Sequence, residues 1–411
     1  MTALRNYGVV TACYWSFTLS DGALRMLVLL HFYHQGFTAL TLSLLFLLYE
    51  AAGIVANLGG GWLATRFGIT RMLTTGLVLQ ICGLLLLSAL DPGWSQQLSV
   101  AWVILAQGVA GLAKDLTKTA SKSAIKATAQ GGTGQLFRWV AWFTGSKNTM
   151  KGIGFFSGGF LLETLEFRPA LWLMAAVLAV VLLASKLTLP RAFGKAEASQ
   201  SFREFFAKTR AINLMALARI FLFGSRDVWF VVGLPVFLYG QHWHYMEVAS
   251  FLAVWTIGYG LVQVLTPVIV RRSSDGLATE VPAALRWGML LVVIPAVLAF
   301  VLGNGGPLPP DILISAGLCI FGLVFAVVSA LHSYLVLAYA GTSKAAEDVG
   351  FYYAANATGR FLGILLSGLL TQAGGLEQCL WAAAVMLSVC LLITVNLPST
   401  TASQPARRFR A

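Results

Sequence analysis

Four lysines in one apolar stretch of the chain are spaced so that a helix places them on one side. The stretch runs from Val103 without a proline, and its lysines recur every four residues, at Lys114, Lys118, Lys122 and Lys126. Residues four apart on a helix are neighbours on one face. A charge inside hydrocarbon is costly, so it is a candidate for function. A row of cations predicts an anion site at Lys114 and Lys118, whereas Lys122 and Lys126 are more typical of the cytoplasmic flank of a membrane span.

Other cations also fall near the middle of apolar stretches. The candidate substrate-binding residues are Arg25, Lys114, Lys118, Lys151, Arg219, Arg226 and Arg360. Cations outnumber acids in these stretches, and Arg makes bidentate contacts to oxyanions such as phosphate and carboxylate. Lys114 and Arg226 fall at similar depth in the fourth and seventh stretches, so we expect them to form two sides of one anion site. Local ion pairs, such as Asp21 with Arg25, are the alternative explanation for these charges.

A second set of buried groups predicts proton coupling. The candidates are Asp21, Asp115, Asp227 and His332. A carboxylate inside a membrane can lose its proton on one side and regain it on the other. Glu50 lies in an apolar stretch and is a weaker candidate. For His332, which is isolated in the sequence, a structural hydrogen bond is the favoured interpretation over a proton relay.

The composition of the chain is that of a membrane protein. It has 411 residues, of which 58% are hydrophobic and 11% charged, and its mean hydropathy is +0.78. Soluble domains carry about 25% charged residues. Stretches of about 20 apolar residues, enough to cross a bilayer, can be placed twelve times. The predicted fold class is an all-α membrane protein with twelve transmembrane helices in two six-helix bundles.

The predicted domains are two bundles joined by a polar linker. The N-terminal bundle covers residues 1–189, a basic cytoplasmic linker covers 190–211, the C-terminal bundle covers 212–397 and a cytoplasmic tail covers 398–411. Lys and Arg fall almost all on one side of the predicted spans, with Arg168 as the clear exception. The positive-inside rule therefore predicts that both termini are cytoplasmic.

Several classes of function have no support in the sequence. The formal charge of +12 comes without a basic domain or zinc spacing, so we expect no nucleic-acid partner. The five cysteines are scattered and form no CxxC pair, and we expect no metal. There is no P-loop and no dinucleotide-binding turn, so we expect no cofactor and no enzyme activity. A membrane-embedded transferase or hydrolase and a binding-only sensor are the alternatives from other classes.

The two predicted bundles resemble each other. With an offset of 206 residues, Asp21 aligns with Asp227, Asn57 with Gln263 and Arg66 with Arg272. Same-direction repeats of six spans predict two bundles with the substrate site between them.

The turn after the second stretch resembles a loop signature of the major facilitator superfamily, G-x-L-a-D-r-x-G-r-k/r. The matching positions are Gly61, Leu63, Arg66 and Gly68, with Arg71 one residue beyond the basic positions. Thr65 stands at the acidic position, which departs from the signature. The resemblance implies that this loop takes part in the conformational change.

A second stretch is similar to the antiporter signature G-P-x-x-G-G of the same superfamily. It reads Gly154-Phe155-Phe156-Ser157-Gly158-Gly159, with Phe155 in place of Pro. Close helix packing through small residues explains the glycines equally well.

The whole chain looks like the organoarsenical efflux permeases of this superfamily. The similar segments are 21–25, 47–50, 111–118 and 121–126. The resemblance implies export of 1-arseno-3-phosphoglycerate, formed when arsenate replaces phosphate in the glyceraldehyde-3-phosphate dehydrogenase reaction. It implies a small anionic organic substrate, a lipid bilayer environment in a bacterial inner membrane, and functional coupling to that dehydrogenase. The candidate proton-coupling acids favour proton antiport as the mode of export. Export of another anionic metabolite and drug-proton antiport remain the alternatives.

Overall fold

A computed structural model describes residues 2–128, 133–190, 209–270, 277–339 and 345–398, and regular structure in these ranges is helical throughout. The helices are α1 (Thr2–His34), α2 (Ala39–Phe67), α3 (Ile69–Ser88), α4 (Gln96–Thr128), α5 (Thr133–Leu165), α6 (Phe167–Thr188), α7 (Arg210–Phe230), α8 (Gly233–Gly240), α9 (Tyr245–Ile269), α10 (Glu280–Asn304), α11 (Pro310–Tyr339) and α12 (Ala345–Val395). We call α1–α6 the N-terminal half and α7–α12 the C-terminal half.

Nine stretches within the described residues are long and apolar enough to cross a membrane. One of them, Phe351–Val395, has 45 residues, and at 1.5 Å per residue it measures about 67 Å, roughly twice the hydrocarbon core of a bilayer. Its backbone leaves the helical conformation at Gly374 and Gly375, where φ is 71° at Gly375. Two crossings therefore fit within α12. The all-helical membrane class is confirmed, while the count of twelve spans stays a prediction because α1 and α5 are not among the nine.

The outward faces of the helices are apolar, as lipid contact requires. Leu187 is 78% exposed and Val268 is 83% exposed, while acids such as Asp227 and Glu50 are buried. Backbone groups are satisfied within the helices, the condition for a chain that spans hydrocarbon. With apolar side chains facing outward, the polar side chains lie in the interior, where they can form a site.

The two halves use the same helix pairing, in agreement with the sequence repeat. In the N-terminal half α1 packs on α5, and in the C-terminal half α7 packs on α12. Both pairs approach closely through glycine: a Cβ on Gly158 would meet the backbone of Ala23, and a Cβ on Gly363 would meet the backbone of Gly224. The halves join each other along α2 with α12 and along α5 with α9.

The halves also touch at the end of the molecule that carries the connections at 35–38 and 241–244. The ring of Tyr33 stacks on that of Tyr239 with centroids 4.9 Å apart. His34 meets Tyr245 edge to face at 5.8 Å. Aromatic contacts therefore join α1 to the end of α8 and to the start of α9 at this end.

The helix that begins the C-terminal half is interrupted. The helical hydrogen-bonding pattern is broken at Val231 and Val232, between α7 and α8. Pro235 has no N–H to donate to a carbonyl one turn earlier, which explains a break at this point. The backbone N–H of Gly233 is satisfied by the Oγ of Ser367 at 3.1 Å.

We expect Gly158→Ala to lower the unfolding temperature, because its Cβ would collide with backbone and not with a side chain that can turn away. Overpacking of this kind costs about 1–3 kcal/mol. Thermal unfolding in detergent measures the effect. The matched control is Gly258→Ala in α9, where a Cβ meets nothing within 4 Å. Equal unfolding temperatures for the two variants would show that close packing does not explain the glycines of the 154–159 stretch.

Candidate functional site

Glu50 of α2 lies at the centre of the interior charges. Its side chain is 1% exposed and contacts three cations. Oε1 accepts from Arg25 Nη2 at 2.9 Å, and Oε2 accepts from Arg360 Nε at 2.8 Å and Lys114 Nζ at 3.4 Å. We call these four residues the Glu50 cluster. One carboxylate against three cations leaves the cluster with an excess of positive charge.

Close packing of α2 and α4 positions Lys114. A Cβ at Gly111 would collide with the backbone of Tyr49, so glycine is needed for this approach. One turn further along α4, the Nζ of Lys114 lies 3.8 Å from the centre of the Tyr49 ring. The amine therefore sits between an aromatic face, which attracts cations, and the Glu50 carboxylate.

Arg360 brings the C-terminal half into the cluster. Among the ion pairs between described residues, Arg360 to Glu50 is the one that joins the two halves. The residues are 310 positions apart in the chain. A second polar contact between the halves is neutral: Asn148 Nδ2 donates to Gln263 Oε1 at 2.8 Å.

The acids beside the cluster have their own partners. Asp21 does not pair with Arg25; its Oδ1 accepts from the hydroxyl of Tyr49 at 2.5 Å. Asp115 pairs with Lys118, and Lys114 Nζ lies 3.9 Å from its Oδ2. The local pairing that the sequence left open is therefore present at Asp115 and absent at Asp21.

In the C-terminal half, Asp227 pairs with the residue before it. Arg226 donates from Nε to Asp227 Oδ1 at 2.6 Å, and its guanidinium lies 5.0 Å from the Phe223 ring centre and 5.7 Å from that of Phe325. The other oxygen, Asp227 Oδ2, is buried without a hydrogen-bond partner among the described residues. Arg226 and Lys114 have different acidic partners in the described residues, Asp227 and Glu50, and their expected role as two sides of one site stays a prediction.

Lys151 of α5 is a partly buried cation with no hydrogen bond or ion pair to a described residue. Its amine lies 5.4 Å from the centre of the Phe155 ring. Arg25 and Arg226 repel it, while Asp21 and Asp227 attract it. Lys151 is therefore located between charged groups of both halves, with its donors free.

Arg219 and His332 lie inside the C-terminal half. Arg219, 3% exposed, donates to Asn356 Oδ1 at 2.7 Å and to the Ser329 carbonyl at 2.9 Å, both neutral acceptors. His332 faces a small cavity lined by residues of that half, and its Nδ1 has no partner in the described part of the chain. Neither residue contacts the Glu50 cluster.

The described interior charges around these contacts include six cations and four acids, an excess of two positive charges. They are Arg25, Lys114, Lys118, Lys151, Arg226 and Arg360 against Asp21, Glu50, Asp115 and Asp227. In a region of low dielectric, such an excess attracts anions strongly.

The sequence matches a family model described as Major Facilitator Superfamily over residues 10–363. The chain belongs to the major facilitator superfamily. A crystal structure of a POT family transporter in complex with 5-aminolevulinic acid has a similar fold, with a TM-score of 0.75, 15% identity and coverage of 97% of each chain. At that identity the likeness shows the fold alone. No curated protein matches the chain significantly. Membership identifies a multi-pass secondary transporter and indicates a transporter rather than an enzyme.

The superfamily loop signature falls at the junction of α2 and α3. Gly68 separates the helices with φ 80°, a conformation that favours glycine, and Arg71 is exposed in the first turn of α3. Gly61 and Arg66 lie in the last turns of α2, and their side chains fall outside the described part of the structure. A tight turn accounts for Gly68, while a role for the four residues in conformational change stays a prediction.

In this superfamily member, the sequence did not indicate how many cations surround Glu50. It is the acid that contacts Arg25, Lys114 and Arg360 together. The sequence did contain a signal for Glu50, which is its position in the middle of an apolar stretch. Burying an acid there costs free energy just as burying the lysines does. Its partners could not be read from the sequence, since they come from three other helices.

Proposed function

We propose that this transporter exports a small organic polyanion through the interface between its halves. The observation that carries the proposal is the positive excess around Glu50, to which both halves contribute. A site shared by both halves lets substrate binding draw them together during transport. A drug transporter is expected to have an aromatic and mostly neutral cavity. The six interior cations do not fit that expectation.

The substrate that the sequence resemblance favours is 1-arseno-3-phosphoglycerate. It carries two tetrahedral oxyanions on a three-carbon backbone, so it offers several acceptors to Arg and Lys donors. The proposed substrate-binding residues are Arg25, Lys114, Lys118, Lys151 and Arg226 with Arg360, and Arg219 on the path within the C-terminal half. A solved structure of similar fold is in complex with 5-aminolevulinic acid, which supports a small-molecule site in this architecture.

The proposed setting is a bacterial inner membrane with both termini in the cytoplasm. Export there confers resistance to arsenate by removing the ester that glyceraldehyde-3-phosphate dehydrogenase makes. Proton antiport with Asp21, Asp115, Asp227 or His332 as the proton carrier remains a proposal.

Transport into everted vesicles tests the function. Vesicles that contain the protein should accumulate arsenic only when arsenate, glyceraldehyde 3-phosphate, NAD and the dehydrogenase are all present. Arsenate, arsenite and 3-phosphoglycerate alone should accumulate much less. Vesicles without the protein are the control. Accumulation of free arsenate or arsenite at the same rate would contradict the organoarsenical assignment, and accumulation of 3-phosphoglycerate alone would favour another anionic metabolite.

A further inference from the structure

We propose that Glu50 is the carboxylate that links proton binding to substrate binding, so that a proton on Glu50 and an anion in the Glu50 cluster favour each other. The inference rests on the proposed function, because it assumes that an anion uses the cations of this cluster. It adds to that function a residue and a sign of coupling.

Glu50 already occupies the donors that an anionic substrate needs. Its two oxygens take hydrogen bonds from Arg25 at 2.9 Å, from Arg360 at 2.8 Å and from Lys114 at 3.4 Å. The carboxylate is 1% exposed, so water screens it little. A phosphate or arsenate group on the same cations would lie close to this negative charge, and the repulsion is large at low dielectric.

A proton on Glu50 removes that repulsion. The neutral carboxyl no longer attracts the three cations as a charge, so their positive charge is available to the incoming anion. In the empty site the same three cations favour the ionised carboxylate. Because binding free energies are reciprocal, an anion that takes over the cations must favour protonation of Glu50 by the same factor. The proton comes from the aqueous phase and returns to it when the anion leaves.

The neighbours of Glu50 support this choice over the other acids. The charged and titratable groups around it are Arg25 and Asp21 on α1, Tyr49 on α2, Lys114 and Asp115 on α4, and Arg360 on α12. Asp21 is held by the Tyr49 hydroxyl and Asp115 by Lys118. Glu50 is the acid among them that binds cations of both halves.

The sign of the coupling has a consequence for transport. Exchange of an anion for a proton requires the two to compete, whereas a proton on Glu50 assists the anion. The inference therefore keeps the export of a polyanion and takes the place of proton antiport as its mode of coupling. A polyanion accompanied by one proton still carries net negative charge outward. The membrane potential drives that charge with about 2.3 kcal/mol per elementary charge per 100 mV, which exceeds the opposing effect of one pH unit, about 1.4 kcal/mol.

The test is calorimetric titration of the purified protein with 3-phosphoglycerate and with 2,3-bisphosphoglycerate in two buffers of different ionisation enthalpy. The buffer dependence gives the number of protons exchanged. The work is done between about pH 7 and about pH 8.5, where phosphate groups, with a second pKa near 6, are largely ionised. The parent should take up as much as about one proton per anion, and its affinity should fall by up to about tenfold per pH unit as pH rises.

Glu50→Gln separates this proposal from a structural role for Glu50. The variant should bind the anions at least as tightly as the parent at the upper pH, with no proton uptake and no pH dependence. Glu50→Asp keeps the carboxylate and should still take up a proton when the anion binds. This variant provides the measurement if Glu50→Gln does not fold. Glu163→Gln, at an exposed acid of α5, is the matched control and should behave as the parent.

Each outcome bears on a different claim. Binding by the parent without proton exchange, or with proton release, would overturn the inference and leave the proposed function standing. Proton uptake that persists in a folded Glu50→Gln variant would also overturn it. Failure of the parent to bind either anion at any pH in the range would overturn the polyanion site itself, and the inference with it.

Discussion

Replacing Arg360 with alanine is expected to weaken anion binding by about ten- to hundredfold, the loss of one charge-assisted hydrogen bond at about 1.5–3 kcal/mol. Arg360 is the cation through which the C-terminal half reaches Glu50, at 2.8 Å. Without it, an anion in the cluster contacts cations of the N-terminal half alone. The unfolding temperature should fall as well, because Glu50 loses one of three partners. Calorimetry with 3-phosphoglycerate and thermal unfolding measure the two effects.

Two further variants serve as controls for Arg360→Ala. Arg360→Lys should recover part of the affinity, since it keeps the charge and loses the planar fork of donors. Lys186→Ala, at an exposed cation of α6, should change neither measurement. Parental affinity in Arg360→Ala would place the substrate outside the Glu50 cluster.

Lys151→Met is expected to change stability and binding in opposite directions. The amine has no hydrogen bond or ion pair to a described residue and is repelled by Arg25 and Arg226. Removing an unsatisfied polar group from a protein interior recovers about 1–3 kcal/mol. The empty protein should therefore unfold at a higher temperature. Anion affinity should fall by about tenfold, because one free donor of the site is lost.

The same substitution at an exposed lysine controls for hydrophobicity. Lys186→Met should leave both the unfolding temperature and the anion affinity near those of the parent. A less stable Lys151→Met protein would mean that the amine has a stabilising partner. Unchanged affinity would remove Lys151 from the proposed site.

Helix content and the repeat could be predicted because they depend on local composition and on period. Apolar stretches of bilayer length predict helices. The 206-residue offset predicted that Asp21 and Asp227 would both be buried at matching places, and each is. The broken conformation at Val231 and Val232 was not predicted, although Pro235 marked the place.

The sequence predicted which cations lie in the interior better than it predicted which acids they pair with. Counting depth along helices identified cations that the structure places around one acid, Arg25, Lys114 and Arg360. Pairing depends on how helices distant in sequence pack, and a single chain carries no signal for that. Arg25 therefore looked like a partner of Asp21, while in the fold it reaches across to α2. The pairing of Lys114 and Arg226 across one anion stays a prediction.

The break between α7 and α8 gives the two halves first helices of different stiffness, although charged residues occupy matching positions in the halves. Helix α1 is a single rod from Thr2 to His34, so a displacement at one end is carried to the other. Its counterpart is jointed at Val231 and Val232, and the short rod Gly233–Gly240 is tethered to α12 through Ser367. The two halves therefore match in the positions of these charges but not in stiffness. When the halves rock, bending should concentrate at this joint, and spin labels on either side of it should change separation while a pair of equal spacing on α1 should not.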